Sequence, residues 1–330
     1  EEGEAFARDV DELAAVLLQQ AVDRLEELTP QISVVTGAAH ARAVAAQVPQ
    51  ASVIVEPSAR GTMGAIGLAA AIIAERDPEA VVGSFAADHL IRDDEAFRDA
   101  VRAAVETAGH GYLVTIGIAP EAPSTAYGYI ETGGRLGVAR AVTAFVEKPD
   151  EQTAAEYLAT GRYLWNAGMF VWRVETLLDQ LEALVPDTAK KVRIIAAHNE
   201  LLDELFPTLL KTSIDYAVMQ PVSLGEGSAE VLAVGLDVSW ADVGSYQNLA
   251  EQFLLDEHGN RVEGCSMNLD SSGCVIINTA GERHVVATMG LRDALVVHTP
   301  EATLVTPLSE AGRIRELVEL VRDRIGAEYA

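Results

Sequence analysis

Short β-branched runs alternate with alanine-rich segments between residues 32 and 118, and this rhythm constrains the fold more than any other feature of the sequence. Strand-like runs occupy residues 32–36, 53–56, 81–85 and 112–118. Helix-like segments lie between them at residues 38–48, 64–75 and 95–108. Each strand-helix unit is about 30 residues long, which is the length of a β-α-β repeat. The pattern therefore predicts an α/β fold with a mostly parallel sheet.

The rhythm changes after Tyr127, where strands are predicted at 129–132, 141–146 and 168–173. Beyond residue 255 come short strands with glycine-containing turns, followed by an amphipathic helix at 310–325. We therefore predict two domains, an α/β domain over residues 1–254 and a smaller domain over residues 255–330. Cys265 and Cys274 are predicted to be two buried thiols, with a disulfide as the alternative.

Charge and hydropathy exclude several classes of partner. The chain carries 24 Lys and Arg against 50 Asp and Glu, a net charge of −26, whereas a nucleic-acid backbone needs a basic surface. A single nucleotide triphosphate remains compatible with this charge, because a divalent metal and a few cations can neutralise it. We see no signal peptide and no apolar run near the roughly 20 residues that span a bilayer. The sequence thus predicts a cytoplasmic protein with no membrane or nucleic-acid partner.

Two aspartates are candidate metal ligands. Asp88 follows the apolar run at 80–87, and an acidic residue past the end of a parallel strand lies where open α/β sheets bind ligands. Its carboxylate could hold Mg²⁺ against a triphosphate, or it could simply cap the following turn. Asp242 could share the same metal, or it could cap a helix predicted at 246–253.

Three further segments carry groups suited to a phosphorylated sugar. Pro149 fixes the direction of Glu147, which could accept from sugar hydroxyls, and of Lys148, which could pair with a phosphate. A surface ion pair is the alternative for this segment. Asn166 offers a donor and an acceptor to a hexose, although its segment could also be an ordinary tight turn. Gly128 lies in a turn and could abut a sugar ring.

The loop at residues 56–62 links a strand to the start of a helix. Its small polar residues and backbone N–H groups suit a nucleobase or a phosphate. The candidate nucleotide-binding residues are Pro57, Ser58, Arg60 and Thr62.

Taken in order, seven segments of the chain resemble the mannose-1-phosphate guanylyltransferases, which are sugar-1-phosphate nucleotidylyltransferases. The segments are Glu-Pro-Ser at 56–58, Ala-Ala-Asp-His at 86–89, Tyr-Gly-Tyr-Ile at 127–130, Phe-Val-Glu-Lys-Pro at 145–149, Trp-Asn-Ala-Gly-Met-Phe at 165–170, Ile-Asp-Tyr at 214–216 and Trp-Ala-Asp-Val-Gly at 240–244. The resemblance runs from about Leu17 to Val321 and so covers nearly the whole chain.

The resemblance implies a Rossmann-like, GT-A-like nucleotidyltransferase fold with a small left-handed β-helix near the C-terminus. The implied reaction transfers GMP from GTP to mannose 1-phosphate with Mg²⁺, giving GDP-mannose and pyrophosphate. A homodimer through the C-terminal element is also implied. By resemblance, Asp88 and Asp242 hold Mg²⁺, Lys148 binds the sugar phosphate, Gly128, Glu147 and Asn166 contact the hexose, and the 56–62 loop lies beside the nucleotide.

The sequence departs from the family at its start. The family carries a glycine-rich phosphate loop, whereas residues 1–30 hold nine acidic and two basic side chains and no comparable glycine motif. Gly61, Ala126 and Gln220 also differ from the residues that the family pattern predicts. Two alternatives therefore stand beside the leading hypothesis: a catalytically silent protein that binds a nucleotide-sugar and regulates a partner, or a nucleotidylyltransferase for another hexose 1-phosphate or base.

Overall fold

The computed structural model describes residues 7–146, 148–243, 255–281, 283–300 and 302–325. These residues divide between two compact units. The larger comprises Gln19–Ala87 and Ile91–Trp240, and the smaller comprises Glu1–Leu18, Asp88–Leu90 and Ala241–Ala330, each in its described parts. The predicted boundary between residues 254 and 255 borders residues outside the described ranges and stays a prediction, and the helix predicted at 246–253 lies wholly outside them.

The helices and strands alternate through the first half of the chain, as predicted. The helices up to residue 223 are α1 (Ala7–Glu26), α2 (Ala41–Gln47), α3 (Gly61–Ala74), α4 (Asp94–Ala108), α5 (Glu151–Thr160), α6 (Val174–Leu184), α7 (Pro186–Ala197), α8 (Leu202–Leu205) and α9 (Gln220–Ser223), with a π-helix at Asp215–Met219 and 3₁₀ turns at Asn199–Leu201 and Phe206–Thr208. The strands up to residue 242 are β1 (Ser33–Gly37), β2 (Ser52–Glu56), β3 (Val81–Ser84), β4 (His89–Ile91), β5 (Leu113–Ile118), β6 (Gly128–Leu136), β7 (Ala139–Val146), β8 (Tyr163–Arg173), β9 (Val231–Leu236) and β10 (Trp240–Asp242).

The main sheet has six strands in the order β3-β8-β5-β9-β7-β6, and β1 and β2 form a separate parallel pair. Strands β5 and β9 are parallel. Strand β8 runs antiparallel to β3, β5 and β6, and β7 runs antiparallel to β9 and β6. The predicted α/β fold is confirmed, but the predicted mostly parallel sheet is a mixed one. The reason is that β8 inserts between β3 and β5 in the reverse direction.

Each face of the main sheet supports its own core. Along β8, Phe170 and Trp172 point into the cluster that packs against α3, α6 and α7, and Met169 and Val171 point into the cluster that packs against α4. This alternation is the two-residue period of a strand that is buried on both faces. The strand that carries Asn166 is thus held from both sides by packed side chains.

The smaller unit contains short parallel strands stacked in coils. These are β11 (Arg261–Glu263), β12 (Ser266–Leu269), β13 (Val275–Asn278), β14 (Val286–Met289) and β15 (Ala294–His298), followed by the antiparallel β16 (Thr303–Pro307), a 3₁₀ segment at Leu308–Arg313 and α10 (Ile314–Arg324). Gly264 has φ +81°, and a Cβ there would lie 2.3 Å from the Asn278 carbonyl oxygen, so this turn requires glycine. The Asn278 amide donates to the carbonyls of Cys265 and His284, both at 2.8 Å, and braces successive coils.

Both cysteines are free thiols. Cys274 is buried as predicted, whereas Cys265 is exposed because it lies in a turn of the coil. No helix within the described ranges has the length and apolarity to cross a membrane.

Candidate active site

The two predicted metal ligands lie on neighbouring backbone segments. Asp88 immediately precedes β4, Asp242 ends β10, and β4 pairs with β10. The Val243 N–H donates to the Asp88 carbonyl at 3.0 Å. Asp88 is exposed and Asp242 is half-buried. The fold thus brings together two aspartates that lie far apart in the sequence.

The carboxylate oxygens of these two residues are the kind of ligand that a hard divalent cation prefers, but two carboxylates are too few to complete its coordination shell. In the part of the chain that the structure describes, no group of three or more His, Cys, Asp or Glu could hold a metal. A magnesium ion typically takes one or two protein carboxylates and completes its shell with water and substrate phosphate oxygens. Asp88 and Asp242 therefore match a metal that arrives with a nucleotide rather than one caged by protein alone.

A small pocket in the larger unit contains two of the three predicted hexose residues. Its lining comprises Gly128, Tyr129, Phe145, Val146, Asn166, Asp215, Tyr216 and Gln220. Gly128 and Asn166 are direct partners in the pairing of β6 with β8. The volume of the pocket is about 10 Å³, close to the room of a single water molecule.

Asn166 is presented to this pocket by a bulge in β8. The register with β5 shifts so that Met169 pairs with Ile116 and Asn166 pairs with Gly117. Gly168 has φ +64°, a conformation that favours glycine, and its N–H donates to Asn166 Oδ1 at 3.2 Å. A bulge of this kind re-aims a side chain, and here it turns Asn166 toward the pocket.

The Glu-Lys-Pro segment follows the pocket residue Val146. Glu147 lies outside the described residues, so its predicted role stays a prediction. Lys148 is exposed and has φ +44°, an uncommon backbone conformation for a residue with a side chain. Such strain is often found where a side chain must be held in a functional direction.

The loop that follows β2 contains three polar atoms without a protein partner. Glu56 Oε2, Ser58 Oγ and Arg60 Nε are buried and have no hydrogen-bond partner among the described residues. Burial raises the pKa of the Glu56 carboxyl above its ordinary value. Buried polar groups are normally paired, so three such atoms within five residues leave room for hydrogen bonds from ordered water, an ion or a ligand.

The end of the same loop is fixed by the segment at 212–214. The Thr212 N–H donates to the Arg60 carbonyl at 3.2 Å, and the Ile214 N–H donates to Thr62 Oγ1 at 3.0 Å. Gly61 has φ +75°, and a Cβ there would lie 2.3 Å from the Thr212 carbonyl oxygen. The Thr62 hydroxyl therefore has a structural partner, unlike the side-chain atoms of Ser58 and Arg60 named above.

Three of the motifs are drawn together by their aromatic residues. The ring of Tyr127 lies 5.1 Å from that of Trp165 and 4.9 Å from that of Trp240, measured between centroids. These residues precede Gly128, Asn166 and Asp242 by one, one and two positions. Aromatic pairs at such distances stabilise beyond their buried area, which fixes the starts of these segments.

Two residues without an individual role in the sequence-based predictions stand out in the structure. Asp215 lines the pocket and contacts Asn166, and one carboxylate oxygen of the half-buried Glu56 is buried in the loop at residues 56–62. Both lie in the segments that resemble the guanylyltransferases, and that was the available signal. Their partners could not be deduced, because Asp215 and Asn166 are 49 residues apart.

The nucleotidyl transferase family model matches residues 4–259, and the MannoseP isomerase/GMP-like beta-helix domain model matches residues 264–320. The fold and the two matches together define a nucleotidyltransferase with a β-helix domain. Curated relatives include mannose-1-phosphate guanylyltransferases from Klebsiella pneumoniae, 35% identical, and from Escherichia coli, 34% identical, each over 95% of this chain and 68% of the relative. The chain therefore belongs to the mannose-1-phosphate guanylyltransferase family.

Two solved structures resemble the chain over most of its length. A structure described as mannose-1-phosphate geranyltransferase from Thermus thermophilus is 32% identical with a TM-score of 0.80, covering 93% of this chain and 89% of that one. A mannose-6-phosphate isomerase structure from Helicobacter pylori is 27% identical with a TM-score of 0.57, covering 68% of this chain and 90% of that one. The Rossmann-like fold and the C-terminal β-helix predicted from the sequence are thereby confirmed.

Proposed function

We propose that this chain transfers GMP from GTP to mannose 1-phosphate, giving GDP-mannose and pyrophosphate. The observation that carries the proposal is the pairing of Gly128 with Asn166 at a pocket within a chain of this family. Three orphaned polar atoms on the 56–62 loop support a nucleotide on that loop. The neighbouring segments of Asp88 and Asp242 support a divalent metal.

On the hexose side, Gly128 leaves room for the sugar ring and Asn166 contacts its hydroxyls. Glu147 would accept from a hydroxyl, and Lys148 would pair with the phosphate of mannose 1-phosphate. The ammonium group is a suitable partner, because a charge-assisted hydrogen bond to phosphate is stronger than a neutral one. The exposed position of Lys148 supports this role, since the side chain can reach a ligand without leaving a core.

On the nucleotide side, Pro57 sets the turn after β2, and Ser58 and Arg60 offer unpaired donors. Glu56 offers an acceptor. The Watson–Crick edge of guanine carries two adjacent donors, the N1–H and the 2-amino group, and a carboxylate can accept from both. The Thr62 hydroxyl accepts from the Ile214 N–H and so supports the loop, and its own O–H can still donate to the nucleotide.

Asp88 and Asp242 would hold Mg²⁺, because hard cations prefer oxygen ligands. When bound, the ion would neutralise charge on the triphosphate. In the reaction, a phosphate oxygen of mannose 1-phosphate forms a bond to the α-phosphorus of GTP. The bond from that phosphorus to the bridging oxygen of the β-phosphate breaks, and pyrophosphate leaves with the electron pair. The protein's own contribution is to align the two substrates and to stabilise developing charge, with no covalent enzyme intermediate.

A silent nucleotide-sugar-binding protein is the rival function. It would bind GDP-mannose through the same hexose and nucleotide residues without turning it over. A cytoplasmic location and a homodimer stay predictions for either function.

The test is pyrophosphate release with GTP, mannose 1-phosphate and Mg²⁺, run beside Asp88→Asn. We expect release by the parent chain and a loss of at least about 100-fold in the variant, because one metal ligand is gone. Asp203→Asn, an exposed aspartate on α8, is the matched control for loss of one negative charge. Binding of GDP-mannose without any release of pyrophosphate by the parent chain would refute the enzyme and support the rival.

A further inference from the structure

Both polar atoms of the Asn166 side chain already have protein partners. Asn166 Oδ1 accepts from the Gly168 N–H at 3.2 Å, and Nδ2 donates to Asp215 Oδ1 at 2.7 Å. A carboxylate can only accept, and a backbone N–H can only donate. Asp215 and Gly168 therefore fix which way the Asn166 amide points. Asn166 keeps one amide hydrogen and one lone pair for a ligand.

The position of Asp215 is fixed by the backbone of the segment that contains it. It begins the π-helix Asp215–Met219, and such segments are frequent at functional sites. The preceding Ile214 is fully buried, and its N–H is bonded to Thr62. Asp215 is therefore positioned by the backbone of its segment, and Asn166 follows the direction that Asp215 imposes.

The second carboxylate oxygen of Asp215, Oδ2, has no hydrogen-bond partner among the described residues. Among the described residues, Asn166 is the hydrogen-bond partner of this carboxylate, and the bond uses Oδ1. Asp215 is half-buried and lines the same pocket as Gly128 and Asn166. A sugar hydroxyl donating to Oδ2 would form a charge-assisted hydrogen bond, the stronger kind.

We propose that Asp215 determines hexose specificity by orienting Asn166 through Oδ1 and by accepting a hydrogen bond from one hexose hydroxyl through Oδ2. This inference rests on the proposed function, since it assigns the hexose of that reaction. A site built to bond a hydroxyl rejects an analogue that lacks it, because the protein group is left unpaired. Discrimination among hexose 1-phosphates should therefore depend on residue 215.

The first experiment compares KM values for Asp215→Asn and Asp215→Ala. We expect KM for mannose 1-phosphate to rise about 10-fold in Asp215→Asn and more in Asp215→Ala, while KM for GTP changes less than about 2-fold. Asp203→Asn should change neither value. An unchanged KM for mannose 1-phosphate in Asp215→Ala, or an equal rise for both substrates, would overturn the proposal.

The 2-, 3-, 4- and 6-deoxy analogues of mannose 1-phosphate then locate the hydroxyl. In the parent chain, KM should be higher for the analogue that lacks this hydroxyl than for mannose 1-phosphate. In Asp215→Ala, the two KM values should be equal. If Asp215→Ala raises KM by the same factor for mannose 1-phosphate and for every analogue, Oδ2 contacts no hydroxyl.

The exchange Asn166→Asp with Asp215→Asn separates a structural role from hexose binding. It retains one carboxylate-amide pair but moves the charge to position 166. We expect normal thermal stability and a KM for mannose 1-phosphate that stays raised, whereas recovery of KM would show that the pair serves structure alone.

Calorimetry keeps the inference testable if the chain does not turn over. Asp215→Ala should weaken GDP-mannose binding about 10-fold and leave GDP binding unchanged, because GDP lacks the hexose. Equal affinities of parent and variant for GDP-mannose would refute the role of Asp215 independently of catalysis.

Discussion

Replacing Glu56 with glutamine should stabilise the free protein and weaken GTP binding. The Glu56 Oε2 atom is buried without a partner among the described residues, and burial raises the pKa of this carboxyl. An acid whose pKa is raised by folding opposes the folded state once the pH exceeds the pKa in the unfolded chain. Its favourable contribution is complete only below that unfolded pKa and is lost as the pH rises through the folded pKa. Glutamine removes the charge and with it this dependence.

The binding magnitude follows from the kind of hydrogen bond that is lost. A hydrogen bond to a charged group contributes about 1.5–3 kcal/mol, and each 1.4 kcal/mol is about tenfold in affinity. If the carboxylate accepts from N1–H and the 2-amino group of guanine, Glu56→Gln should weaken GTP about 10- to 100-fold. Inosine triphosphate lacks the 2-amino group, so Glu56→Gln should weaken the binding of inosine triphosphate less than the binding of GTP.

The assay is calorimetric binding of GTP and inosine triphosphate with Mg²⁺ to both proteins, beside thermal unfolding at pH 5 and pH 8. Glu121→Gln, an exposed charge on a loop, is the control. The melting temperature of Glu56→Gln should exceed that of the parent more at pH 8 than at pH 5. Equal losses for the two nucleotides would refute base reading by Glu56, and a lower melting temperature at pH 8 would refute the desolvation argument.

Two further outcomes are expected. Gly61→Ala should lower the free energy of unfolding by roughly 2 kcal/mol in urea denaturation, because alanine disfavours φ +75° and its Cβ would displace Thr212. The control is Gly134→Ala, where a Cβ meets nothing within 4 Å. Equal losses of unfolding free energy in the two variants would contradict the predicted clash at Gly61. A thiol reagent should label one cysteine in the native protein and both in denaturant, because Cys265 is exposed and Cys274 is buried; labelling of both in the native state would contradict the packing of the coil.

Local patterns in the sequence were sufficient to predict most of the helices and strands. Asp88 was proposed as a site residue because an acid follows an apolar run, and Gly128 and Asn166 because small and amide residues lie in turns at strands; their roles stay predictions. The reverse insertion of β8 was not predictable, because side-chain periodicity specifies that a strand is buried and not which neighbour it pairs with or in which direction.

The contacts that define the pocket also join residues that are far apart in the sequence. Asp215 starts a π-helix and bonds to a residue 49 positions earlier, and no pattern in the sequence around it predicts either feature. The orphaned polar atoms at Glu56, Ser58 and Arg60 are equally invisible in sequence, because a residue at the end of a strand is as often exposed as buried. Such functional groups break local rules, and their identification needs the packing around them.

The acidic N-terminal helix makes a strong prediction about metal dependence. The N–H groups inside a helix such as Ala7–Glu26 are bonded to carbonyls four residues earlier, so they cannot cradle a phosphate. Among the residues proposed for the nucleotide in the described part of the chain, neutralisation of the triphosphate would then rest on Arg60 and on a metal held by Asp88 and Asp242. With so few protein cations and a net charge of −26, repulsion of free GTP should be severe without the ion. GTP affinity should therefore fall by more than about tenfold when EDTA replaces Mg²⁺, whereas the affinity for guanosine, which carries no phosphate, should not change. A GTP affinity independent of Mg²⁺ would show that the protein supplies the missing positive charge by itself.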